Sequence, residues 1–116
     1  MKLIRRIKIA VFFAYAVFVA FVSLMPGGSA SLGDWDKLLH FLTYGVFALL
    51  GYSIVTSSMA YLVICLAILA FSGLVEVGQA FVPGRFMSGY DMLANTAGVA
   101  VAVFIMRFLT SLRSGR

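Results

Sequence analysis

Eight polar or charged residues sit near the ends of three apolar segments: Asp36, Lys37, His40, Glu76, Gln79, Arg85, Asp91 and Asn95. Placing an ionisable side chain at bilayer depth costs about 2.5–3.5 kcal/mol on insertion scales. Three segments carrying that cost at matching depth predict one shared site. Lys37, His40 and Arg85 offer positive charge and donors to an anionic group, and a guanidinium grips carboxylate or phosphate with two parallel bonds. His40 beside Glu76 or Asp91 is suited to acid–base work, with Arg85 steadying developing charge.

Helical spacing sorts these residues into faces. Asp36 and His40 are four apart, as are Asp91 and Asn95, while Glu76 and Gln79 lie one turn apart. Each also has a plainer reading. Asp36 and Asp91 stand where a first-turn acid complements a helix dipole. His40 can be a structural hydrogen bonder, and Glu76 half of an ion pair that ties helices together. Glu76 sits among Leu74, Val75, Val77 and Phe81, so its charge needs a partner; Lys37, Arg85 and His40 are the candidates. Arg85 can simply snorkel to the interface. No nucleophile stands out; Ser88 is the one aliphatic hydroxyl between Arg85 and Asp91. A metal set of His40, Glu76 and Asp91 has ligand types acceptable to Mg, Mn or Zn. These ligands are dispersed and share no tight motif, so no metal and no other cofactor is expected.

The elements that must carry this site follow from composition. Of 116 residues, 63% are hydrophobic and 11% charged, with mean hydropathy +1.07. A soluble core cannot hide that much apolar surface. The chain reads as one domain over residues 1–116, an all-α bundle of four transmembrane helices with spans at about 7–24, 37–55, 59–82 and 88–109. Pro26-Gly27-Gly28, Thr56-Ser57-Ser58 and Pro83-Gly84 punctuate them. Seven cations (Lys2, Arg5, Arg6, Lys8, Arg107, Arg113 and Arg116) flank the outer ends of the first and last spans, against Lys37 and Arg85 on the other side. The positive-inside rule then places both termini in the cytoplasm and the polar cluster outside, with Trp35 and Tyr90 at the interface. A nucleic-acid partner is excluded, since it requires a basic face on a soluble fold.

Smaller features complete the reading. Basic residues, an apolar run and Gly28-Ser29-Ala30 imitate a secretory signal, but the run is long for that purpose and the first span is expected to stay. Cys65 is a lone packing residue with no disulfide partner. Ala94/Gly98/Ala102 on the fourth span, and Ala10/Ala14 and Ala16/Ala20 on the first, are small-residue stripes that suit close helix contact. Tyr15, Tyr44 and Tyr52 can donate hydrogen bonds within the bundle. No Walker loop, nucleophile elbow, HExxH or dinucleotide fingerprint is present.

Two stretches resemble the VanZ-like family of small bacterial membrane proteins. One is Asp36-Lys37-Leu38-Leu39-His40-Phe41 followed by Tyr44. The other is Glu76-x-x-Gln79-x-Phe81-x-Pro83-Gly84-Arg85 followed by Ser88, Asp91, Asn95 and Gly98, and Ser23-Leu24-x-Pro26 fits as well. The resemblance covers nearly the whole chain and implies a helical domain in the bacterial cytoplasmic membrane, linked by the family name to teicoplanin resistance. It points to Lys37, His40, Glu76, Gln79, Arg85, Ser88, Asp91 and Asn95 as a ligand-binding set. The expected partners are membrane lipids, with undecaprenyl-linked lipids or lipoglycopeptides as ligand. An intramembrane enzyme using His40, Glu76 and Asp91, and a purely structural subunit, stand as the alternatives.

Overall fold

The computed structural model describes residues 1–26 and 35–115. Four α-helices, α1 (Lys2–Ser23), α2 (Trp35–Ile54), α3 (Ser58–Gln79) and α4 (Gly89–Ser114), make up the structure, with no strand among the described residues. Each is long and apolar enough to cross a membrane. Even the shortest, α2, extends about 30 Å, the thickness of a hydrocarbon core. The expected polar loop, with Asp34 and Gly28-Ser29-Ala30, lies outside the described residues.

Helix boundaries differ from the expected spans in instructive ways. α1 begins at Lys2 and α4 runs on to Ser114, beyond the apolar windows, because Lys and Arg continue a helix well once it leaves hydrocarbon. α3 stops at Gln79, short of the expected Val82. Pro83 disfavours helical geometry at the residue before it. The chain therefore tightens into i→i+3 turns, Phe81 N–H to Gly78 O (3.1 Å) and Val82 N–H to Gln79 O (3.1 Å), and Gly84 reverses it at φ 77°. Ser57 and Ser88 cap α3 and α4, accepting the N–H of Ala60 and Asp91 respectively.

The side chains sort in the manner of a bundle solvated by lipid. Phe13, Phe18, Leu62, Leu66, Phe104 and Phe108 stand exposed, while Ser72, Glu76, Gln79, Asp91 and Asn95 are buried. Water would reverse that distribution, but hydrocarbon favours it. α2 lies at the centre and touches all three other helices, α4 most extensively. Gly98 sets that approach: a Cβ there would collide with the Phe41 carbonyl oxygen, and Gly45 faces Gly98 from α2. Ala102 continues the contact face, whereas Ala10 and Ala14 point outward and serve no helix contact. Mid-bundle, Phe47 packs its ring on Phe12, Tyr15 and Phe71. Tyr15 and Tyr61 donate to the backbone carbonyls of Thr43 and Ala48.

Candidate functional site

Four helix ends converge to make the site: the start of α2, the end of α3, the start of α4 and the end of α1. Lys37 reaches from α2 to Asp91 on α4 in an ion pair and lies 3.4 Å from its neighbour Asp36. His40, one turn deeper, has its Nε2 3.7 Å from Asp36 and 3.6 Å from Asp91. Its Nδ1 lies 2.9 Å from Asn95 Oδ1. The buried Asn95 amide donates to Ser72 Oγ at 2.7 Å, and the Ser72 hydroxyl donates to Met92 Sδ at 3.3 Å. With the Asn95 amide nitrogen committed to Ser72, its oxygen is the acceptor and His40 Nδ1 the donor. Nε2 is thereby left as the acid–base atom of the imidazole, facing two carboxylates.

Glu76 takes a different part from the one expected. None of Lys37, Arg85 or His40 pairs with it among the described residues. Its Oε2 instead accepts the backbone N–H of Ser88 at 3.2 Å, and so holds the N-cap residue of α4. Ser88 is engaged at both ends, since its Oγ accepts Asp91 N–H at 3.4 Å. Asp91 is both a first-turn acid on its own helix and, beyond the roles read from sequence, an ion-pair partner across to α2.

Arg85 also differs. Its Nε donates to Met25 O at 2.8 Å and its Nη2 to Val22 O at 3.0 Å, satisfying carbonyls that the end of α1 leaves without helical donors. The fork expected to grip an anion is largely occupied by backbone, and Nη1 is what remains. Gln79 works alongside it, donating to Ser23 O at 2.9 Å. Between these groups lies a small cavity of about 130 Å³, walled by Asp36, His40, Thr43, Tyr44, Gln79 and Arg85 together with Val22, Ser23 and Leu39. Lys37, Glu76, Ser88, Asp91 and Asn95 stand behind this wall and not in it.

The residues that could hold a metal are Asp36, His40 and Asp91, whose ligand atoms lie within 4.8 Å of one another. Asp36 replaces the Glu76 of the set considered from sequence. The Lys37 ammonium contacts both carboxylates through Asp36 Oδ2 and Asp91 Oδ1, leaving Asp36 Oδ1 and Asp91 Oδ2 toward His40.

The chain that folds into these four membrane-length helices matches a known family. The VanZ/LLP1 family model matches residues 2–110. The chain belongs to the VanZ/LLP1 family. No curated protein and no solved structure gave a match. With its four apolar helices, this VanZ/LLP1 chain is a multi-pass membrane protein.

Sequence reasoning missed Ser72, the buried hydroxyl through which Asn95 on α4 is joined to α3. Its signal was available: Ser72, Glu76 and Gln79 recur at i, i+4 and i+7, one polar stripe on an apolar helix. The Ser23 and Val22 carbonyls carried no signal, because backbone acceptors at a helix end are invisible in residue types.

Proposed function

We propose that this VanZ-family protein binds the anionic head of a lipid-linked envelope molecule at the polar end of the bundle, and that it affects glycopeptide (teicoplanin) susceptibility by doing so. The observation that carries the reading is the small cavity at the site. At about 130 Å³ and open to the surface, it has room for a phosphate or carboxylate group. Arg85 and His40 contribute positive charge or donors to it, and Gln79, Thr43 and Tyr44 contribute polar atoms. Its position at a helix-end surface suits a ligand whose chain stays in the bilayer, as in undecaprenyl-linked lipids or the tail of a lipoglycopeptide. The proposed setting is the bacterial cytoplasmic membrane, with both termini inside and the cavity facing out.

Leu39 lines the cavity, makes no polar contact and is half-exposed, so Leu39→Trp should fill it without disturbing the ion pairs. The expected result is loss of undecaprenyl phosphate co-purification and loss of any teicoplanin phenotype at unchanged expression. Retention of both by Leu39→Trp and by His40→Gln would overturn the proposal.

A second reading has a specific observation behind it. His40 Nε2 lies within 4 Å of both Asp36 and Asp91, an acid–base arrangement that a binding site does not need. As an enzyme the protein would hydrolyse or transfer a lipid-linked phosphate. Release of inorganic phosphate from undecaprenyl pyrophosphate by the purified protein, abolished in His40→Gln, would select this reading over simple binding.

A further inference from the structure

A second, larger cavity lies at the opposite end from the polar site. It is a crevice of about 760 Å³ between the first half of α3 and the last half of α4, floored by Tyr52 of α2 and by Val55 just after it. The two helices are joined by polar contacts at the other end, through Glu76–Ser88 and Ser72–Asn95. The crevice changes character along its length. Two turns in, its walls are Leu62, Cys65 and Val103; at its mouth they are Ser58, Thr110 and Ser111. Arg107 stands between these zones and is the only charged residue in the lining. No carboxylate pairs with Arg107 among the described residues, whose acids, Asp36, Glu76 and Asp91, belong to the other end of the bundle.

We propose that this crevice is a binding site for an anionic phospholipid, with one acyl chain lying between α3 and α4 and the phosphate on Arg107. A gap of this size between helices in hydrocarbon leaves its walls without dispersion partners, and in a bilayer the molecules at hand to fill it are lipids. The volume falls within the range of ligand sites. An apolar interior, one unpaired guanidinium and a hydroxylated mouth match the order of tail, phosphate and headgroup. The hydroxyl protons of Thr110 and Ser111 are already given to the carbonyls of Met106 and Phe108, so these oxygens are left as acceptors, Thr110 Oγ1 already receiving the Tyr52 hydroxyl. They suit a headgroup that donates, such as the glycerol of phosphatidylglycerol, and offer nothing to a choline. The first-turn N–H groups of Ser58 and Met59, which also line the crevice, add donors for the phosphate. The site is independent of the polar cavity proposed above.

Native mass spectrometry of the purified full chain with added phosphatidylglycerol or phosphatidylcholine tests this. Retention of phosphatidylglycerol should exceed that of phosphatidylcholine. Arg107→Gln should lower it about tenfold, the change expected for one lost charge-assisted hydrogen bond. Arg107 is exposed, so its replacement spares the core. Val103→Trp, which occupies the interior, should reduce retention of both lipids. Equal retention of the two lipids would overturn the proposal, as would an Arg107→Gln variant that binds like the parent. Competition by inorganic phosphate alone would also overturn it, and so would a dimer that Val103→Trp dissociates, since a second copy would then be the occupant.

Discussion

At the scale of single residues, the polar end depends on a few side chains that each serve two neighbours. Asn95 is the clearest case. Fully buried, it links His40 on α2 to Ser72 on α3 from its place on α4. Asn95→Leu leaves a histidine N–H and a serine oxygen without partners in low dielectric. The expected cost is about 1–3 kcal/mol, read as a lower thermal midpoint in detergent. A midpoint equal to the parent's would show that the relay contributes nothing. Lys37 has the complementary role of a resident cation. With its ammonium removed, Asp36, His40 and Asp91 keep ligand atoms within 4.8 Å of one another and lose the charge that balances them. Lys37→Ala should therefore bind Zn²⁺ in calorimetry where the parent does not. Zinc binding by the parent, or by neither protein, would contradict the view of Lys37 as the charge that balances this cluster.

At the scale of elements, the decisive contact is the one between α2 and α4, which run parallel and are not consecutive. Gly98 permits it, and Gly98→Ala must push the helices apart or shift the Phe41 carbonyl. Overpacking of this kind costs about 1–3 kcal/mol. Gly73, with nothing within 4 Å of an added Cβ, is the matched control, and Gly73→Ala should be neutral or up to about 1 kcal/mol stabilising. Equal midpoints for the two variants would remove Gly98 from this role. The same contact marks the limit of what could be read from the chain. The helices, the side-sharing of Asp36 with His40 and of Asp91 with Asn95, and the shared end were legible, because helical period and apolar length settle them. Which acid receives Lys37 depends on the rotation and register of α2 against α4. No periodicity within one helix carries that information. Glu76 looked the neediest acid from its neighbours, yet the structure answers it with a backbone N–H of the next turn. Arg85 looked free and is spent largely on α1 carbonyls.

At the scale of the whole molecule, charge is segregated along the bundle axis. Among the described residues, all three acids (Asp36, Glu76 and Asp91) belong to the polar end, and six of the eight cations (Lys2, Arg5, Arg6, Lys8, Arg107 and Arg113) belong to the other. Trp35 and Tyr90, exposed at the polar end, add an aromatic belt there. Gln79 and Arg85 tie the end of α1 to the same end as the starts of α2 and α4, so the start of α1 and the end of α4 share the basic side. A bundle polarised in this way should insert with its basic side in the cytoplasm, where anionic lipid also lies. In a Cys65→Ala background, a cysteine at Phe86 should react with an impermeant maleimide on intact cells, and one at Ser114 should react only after lysis. The reverse pattern would turn the polar cavity inward and remove envelope ligands from its reach. If orientation follows charge and not the fold, replacing Lys2, Arg5, Arg6 and Lys8 by Gln should yield a mixed population in which both positions are partly labelled, while the α2–α4 contact, buried within the bundle, persists in either orientation.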